Sequence, residues 1–202
     1  VRRFTDKKVS DETIIELLDV ARHAPSNCNT QQWKFIIVDD DELKQKIVDN
    51  GGTKLISKSK QGVLVLYDNR TDNIEYMDFI QSASAAIQNF CLYSSSKGIG
   101  TCWVCHLPTK NCLRKLFNIP VFYDPIAYVI IGYPLDDQFV VPRKYGINEM
   151  VSKNSFDFSY ECVNLLWSKR LIRFFYYNLI PVRIKKFMNN FLDNNFVKKF
   201  KN

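Results

Sequence analysis

Long apolar runs are missing from this 202-residue chain. No stretch approaches the roughly 20 residues that a helix needs to cross a bilayer. The charged start and apolar centre of a secretory leader are missing too. Glycine and proline are sparse, at seven each, which leaves no room for low-complexity architecture, and no segment repeats. Neither a Gly-x-Gly-x-x-Gly fingerprint nor a phosphate-loop lysine motif occurs, so a dedicated dinucleotide fold is not expected. Six cysteines are too few for a disulfide framework at this length. A reducing, cytoplasmic setting is the simpler expectation.

Hydrophobic residues make up 46% of the chain and charged residues 24%, the balance of a globular protein. The net charge of +7 would suggest a nucleic-acid partner if it were spread over the chain. It is not spread. Residues 155–202 carry nine basic and three acidic side chains, whereas residues 1–154 carry 19 and 18. The body is nearly neutral, and no nucleic-acid-binding surface is expected on it. Two segments follow from this: a domain over 1–154 and a basic, aromatic-rich helical extension over 155–202.

Local patterns place the elements of the first segment. Ser10 is a good helix N-cap, with Asp11 and Glu12 at the positive end of the helix dipole. Ile14, Leu17, Leu18 and Ala21 follow at helical spacing, and Pro25 ends the run. His23, near the end of that helix, reads as structural. Residues 34–38 form a buried strand, and the acids from Asp39 to Glu42 open a short helix. Residues 62–67 form a second strand. A long helix follows, with Tyr76, Phe79, Ile80, Ala83, Ala86, Ile87, Phe90 and Tyr93 along one face. Its small residues from Ser82 to Ala86 would admit a second helix closely. Gly98 sits where a C-terminal glycine belongs. A third strand covers about 100–105, and a fourth runs from Ile126 to Ile131, stopped by Gly132-Tyr133-Pro134. Four strands among four or five helices make an α+β domain.

The extension carries two helical stripes. Val163, Leu166, Arg170 and Phe174 form one, and Ile184, Phe187, Met188, Phe191 and Leu192 form the other, beyond Pro181. They suit helices packed on the domain or on a partner. The competing reading is a basic amphipathic segment on an acidic membrane surface. The break at Pro181 favours packing.

Three segments carry the chemistry. Ala24-Pro25-Ser26-Asn27-Cys28-Asn29-Thr30-Gln31-Gln32-Trp33 sets hydroxyl and amide side chains between a helix and a strand, which makes a loop built for hydrogen bonding. Val1-Arg2-Arg3-Phe4 opens the chain, and Gly98-Ile99-Gly100-Thr101-Cys102-Trp103 leads into the third strand. Together they resemble the nitroreductase family. Its loop, Pro-Ser-x-x-Asn-x-Gln-Pro-Trp, is matched by Pro25, Ser26, Asn29, Gln31 and Trp33, with Gln32 in place of the second proline. Its opening Arg-Arg-Ser-x-Arg-x-Phe is matched at its end by Arg2 and Phe4. The rest would lie before Val1, so further residues are expected upstream. Arg143-Lys144, ahead of Glu149-Met150-Val151, is similar to the family's late basic segment.

The resemblance implies a three-layer fold, a mixed and mainly antiparallel sheet flanked by helices, paired as an intertwined homodimer. It implies flavin mononucleotide (FMN) at the subunit interface. Pro25, Ser26, Asn29 and Gln31 would then hold the flavin edges, Trp103, Val104 and Cys105 would face its N5, and Arg2 and Arg143 would grip the phosphate. Cys105 stands where many relatives have glycine, which narrows the space for substrate. NAD(P)H would deliver hydride to the flavin, and a small organic acceptor such as a nitroaromatic or quinone would then be reduced by a ping-pong mechanism. The charge of Arg2 would stabilise the anionic reduced flavin. No side chain needs to act as acid or base, and no metal is called for. Relatives of the same fold that remove halogen or cleave rings leave those activities open. So does a different class, a non-catalytic flavin-fold scaffold docking a membrane or partner through its basic tail.

Cys102-Trp103-Val104-Cys105-His106 also spells a haem-attachment and a dithiol motif. Strand alternation would aim the two cysteines at opposite faces and speaks against both.

Overall fold

The computed structural model describes residues 1–158 apart from 72, 74 and 137–141, together with 171, 175, 179, 181 and 184. Two compact units divide the chain, one of Val1–Asp136 with Pro181–Asn202 and one of Asp137–Ile180. The helix pair expected across 160–200 lies almost wholly outside the described residues. No helix among those residues is long and apolar enough to cross a membrane.

The first unit is a sheet between two helical layers. Strands β1 (Trp33–Val38), β2 (Gln61–Asp68), β3 (Gly100–Val104) and β4 (Tyr123–Gly132) lie in the order β1-β2-β4-β3, and every pairing among them is antiparallel. Strand β2 is buried at all eight positions, as a central strand covered on both faces must be. Its alternate residues feed two cores. Val63, Val65 and Tyr67 join Ala127, Val129 and Ile131 of β4 beneath Ile14, Leu17, Ala83, Ile87 and Phe90. Leu64 and Leu66 join Tyr128 and Ile130 against Ile47, Val48 and Leu113 on the other side.

Helices α1 (Asp11–Ala21) and α3 (Asp78–Ser96) therefore cover one face, and α2 (Asp41–Asp49) and α4 (Lys110–Phe117) the other. Ser10 caps α1 by accepting the Thr13 amide at 3.3 Å. The chain leaves α3 through Gly98 at φ +71°, a left-handed turn that glycine makes without strain.

Three expected boundaries move. Tyr76 lies before α3 and is 66% exposed. The left-handed Met77 separates it from the helix, so it does not join the buried face. Strand β4 starts at Tyr123 rather than Ile126 because Pro125 is accommodated by a register shift: Val65 pairs with Ala127 and Leu66 with Pro125. Proline has no amide proton for the ladder and is tolerated at such a bulge. Strand β3 ends at Val104, which leaves Cys105 beyond it and exposed.

The opening residues lie across the β3–β4 end of the sheet. The Val1 amine donates to the Thr101 carbonyl at 3.0 Å. The Thr5 amide donates to Tyr133 at 2.8 Å, and the Leu135 amide to Arg3 at 3.1 Å. Gly100 and Gly132 face each other in the ladder and make room for this crossing. A β-carbon on Gly100 would meet Val1 Cγ2 at 2.8 Å, and one on Gly132 would meet Phe4 Cδ1 at 3.0 Å.

Candidate functional site

Residues 25–32 connect α1 to β1 through a 3₁₀ turn at Asn27–Asn29. Cys28, Asn29 and Gln31 take φ of +45°, +56° and +52°. The left-handed region costs an ordinary L-residue roughly 1 kcal/mol or more. Asparagine tolerates it best, and cysteine and glutamine do not. Hydrogen bonds hold the loop in this shape. Ser26 Oγ accepts the Gln31 amide at 3.1 Å, and Gln31 Nε2 donates to Asn29 Oδ1 at 2.7 Å. Thr30 Oγ1 and Tyr67 Oη donate to Asn27 Oδ1 at 3.0 and 3.2 Å. The Asn27 amide donates to Ser82 Oγ on α3 at 2.9 Å. Below it, the Trp33 indole donates to the Ser82 carbonyl at 3.1 Å, and its ring meets that of Tyr67 edge-on at 5.9 Å.

An open pocket of about 350 Å³ lies between this loop and the start of α3, lined by Pro25, Ser26, Asn27, Asp78, Gln81, Ser82 and Ala85. Asp78 contributes a carboxylate, which accepts the Thr71 hydroxyl at 2.6 Å. The Gln81 amide donates to the Tyr76 carbonyl at 2.8 Å. Pro25, Asn29 and Gln31 are exposed and Ser26 half-buried. The lining is mostly apolar, and the amide and hydroxyl groups of Ser26, Asn27, Gln81 and Ser82 are set into it, where they suit the carbonyl, imide and hydroxyl edges of a flat ligand. Asn27, Ser82 and Tyr67 were missed by sequence reasoning. Asn27 falls on an unspecified position of the loop motif, and the others lie 55 and 40 residues away from it.

The remaining expected residues of this unit gather elsewhere. Trp103 is exposed in β3, opposite Val129. Val104 is buried opposite Tyr128, and Cys105 follows in the open. Arg2 belongs with them. Burial pushes the thiol of Cys102 up, while the neighbouring N-terminal amine and Arg2 guanidinium act to lower it. Strands β1 and β3 are the two edges of the sheet. Three strand spacings, about 14 Å, separate them. One chain therefore does not bring its loop residues and its β3 residues to one place. Arg143 lies in the second unit and is exposed.

The domain is a three-layer α+β structure with an amide-bearing loop beside an open pocket. The chain belongs to the nitroreductase family, whose description matches residues 1–65 and 59–133. A protein of Archaeoglobus fulgidus bearing the provisional name NADH dehydrogenase/NAD(P)H nitroreductase is 31% identical over 142 residues, covering 68% of this chain and 82% of that one. The FMN reductase (NAD(P)H) of Bacillus subtilis is 25% identical over 162 residues, covering 71% and 65%. A crystal structure of oxidized iodotyrosine deiodinase bound to FMN and 3-iodo-L-tyrosine superposes with a TM-score of 0.66 at 25% identity, covering 77% of this chain and 94% of that one.

Proposed function

We propose that this protein is an FMN-dependent oxidoreductase that takes hydride from NAD(P)H and reduces a small organic acceptor, working as a homodimer. The observation that carries the reading is the loop at 25–31. It holds three residues at positive φ and sets Ser26 and Asn27 in the lining of a pocket. Strain of this kind persists only where surrounding contacts enforce it, and it clusters at ligand sites. The donor set fits a flavin. Ser26, Asn29 and Gln31 offer both donors and acceptors to a ring edge and a polyol chain. Relatives named for FMN reduction and for NAD(P)H-linked nitroreduction support the same cofactor pair.

When bound, FMN supplies the hydride-carrying ring that alternates between NAD(P)H and acceptor in a ping-pong cycle. The chain's own residues bind and orient it. Pro25 and Ser26 wall one side, and Asn29 and Gln31 fix the edges. Trp103, Val104 and Cys105 offer backbone and side-chain contacts from β3. Arg2 and Arg143 supply positive charge suited to a phosphate.

Two copies complete such a site. The loop and the β3 group occupy opposite edges of one sheet, so a flavin touched by both would draw the loop from one protomer and the strand from the other. Ligand sites at subunit interfaces exclude water from a reacting ring that one open pocket would leave wet.

Purified full-length protein provides the test. It should be yellow, or take up FMN stoichiometrically, and should bleach on adding NADH or NADPH without oxygen. A colourless protein that FMN cannot reconstitute overturns the reading. Depletion assays with nitroaromatics, quinones and halophenols then identify the acceptor class.

A further inference from the structure

We propose that Ser82 is the positioning residue of the loop: its hydroxyl anchors Asn27 to α3 and thereby fixes where Ser26, Asn29 and Gln31 present themselves to the cofactor. The proposal rests on the flavin reading above and adds to it a residue that lines the pocket and acts by holding the loop in place.

Ser82 is 3% exposed and sits on α3 among alanines and serines. Serine is a poorer helix former than alanine, because its hydroxyl competes for backbone partners. A buried serine here needs a use for its oxygen, and the geometry provides one. Ser82 Oγ accepts the Asn27 amide at 2.9 Å. Its single proton has two acceptors within reach, Asn27 Oδ1 at 3.0 Å and the Asp78 carbonyl at 2.9 Å. Asn27 is thus held at its main chain by Ser82 Oγ, whose proton is shared between the Asn27 side chain and the Asp78 carbonyl. Tyr67 and Thr30 complete the shell of Asn27 Oδ1.

The anchor matters because the strained part of the loop begins at the next residue. Cys28 and Asn29 enter the left-handed region immediately after Asn27, and Gln31 does so two residues later. Without a fixed starting point these residues relax toward ordinary backbone. The Ser26–Gln31 and Gln31–Asn29 bonds are internal to the loop. They shape it but do not tie it to the scaffold. The bond from Trp33 goes to the Ser82 carbonyl, so deleting the hydroxyl leaves that link intact.

Ser82→Ala separates the two roles. Hydrogen exchange of the apoprotein should show faster exchange at the amides of residues 27–31, with core amides such as Val65 at wild-type rates. Its FMN affinity should fall ~10-fold or more, the worth of one buried hydrogen-bonding atom. Ser82→Thr, which keeps the hydroxyl, should restore both. Wild-type FMN affinity in Ser82→Ala overturns the proposal, and so does loosening of core amides to the same extent as the loop. Should Ser82→Thr fail to fold, the loop-against-core comparison in Ser82→Ala decides alone. Wild-type protein that takes up no FMN sinks the flavin reading itself. Uptake that is normal in wild type and unchanged in Ser82→Ala sinks only the role of Ser82.

Discussion

The phenol ring of Tyr128 lies directly over the α-carbon of Gly62. A β-carbon at position 62 would sit 2.2 Å from Tyr128 Cε1 and 2.4 Å from its hydroxyl oxygen. Neither residue is conspicuous in the sequence, yet together they fix the packing of the second core at the centre of the sheet. Tyr128 is fully buried, and its hydroxyl has no hydrogen-bond partner among the described residues.

Two outcomes are expected from that contact. Gly62→Ala should destabilise by ~1–3 kcal/mol, since the buried Tyr128 ring or the strand must shift to admit the methyl group. Tyr128→Phe should stabilise by ~1 kcal/mol by removing an unsatisfied hydroxyl. Denaturant midpoints at unchanged m-value would measure both. Burial also pushes the Tyr128 phenol above its ordinary range. A folded-state value raised above the unfolded one gives stability that is complete below about pH 10 and is lost as pH rises further. Alkaline unfolding should therefore weaken in Tyr128→Phe.

The acid limb should depend on Asp68. Hydrogen bonds from Arg70 hold its carboxyl below the usual range, with the Arg70 amide adding to them and burial acting against them. The guanidinium Nε lies 3.0 and 3.1 Å from the two oxygens. A depressed folded-state value gives stability that is present above about pH 4 and is lost as pH falls through the folded-state value. Arg70→Gln should lower stability at neutral pH, where the carboxylate is ionised, and move the acid-unfolding midpoint to higher pH, read by circular dichroism.

Asp124 closes the same end of the sheet. It is 5% exposed, pairs with Lys110 and Arg114 of α4, and accepts Asn69 Nδ2 at 2.8 Å. Asp124→Asn should cost ~3 kcal/mol, because it leaves the mostly buried Arg114 without a counter-charge. Lys110→Met should cost less than ~1 kcal/mol, since that ammonium is half in solvent. Urea titration of the three proteins ranks them.

Features written in local chemistry were legible from the sequence: the Ser10 cap, the Gly98 exit, the apolar runs of β2 and β4, and the loop at 25–33. Those that depend on distant partners were not. Helix α4 has a cap in Thr109, which accepts the Cys112 amide at 3.3 Å, and a left-handed stop in Asn118. It spans only eight residues, with Leu113 alone fully buried, a stretch shorter than the window in which periodicity marks a helix. The hub of Asn27, Ser82 and Tyr67 was invisible for another reason. Hydrogen bonds across 40 to 55 residues leave no spacing pattern in the chain. The division of the site residues between two sheet edges needed the strand order, which no motif encodes.

That division yields the sharpest test of the paired site. Gln31→Ala damages the loop group, and Arg2→Ala damages the group beside β3. Each variant alone should bind FMN weakly at both of its sites. Refolding them together in equal amounts makes half of the pairs mixed. Each mixed pair then holds one site with both lesions and one with neither, because a site takes its loop from one protomer and its strand from the other. FMN titration should therefore recover about a quarter of the wild-type high-affinity sites. If every site were built within a single chain, no mixed pair could contain an intact one, and the mixture would bind no better than its parents.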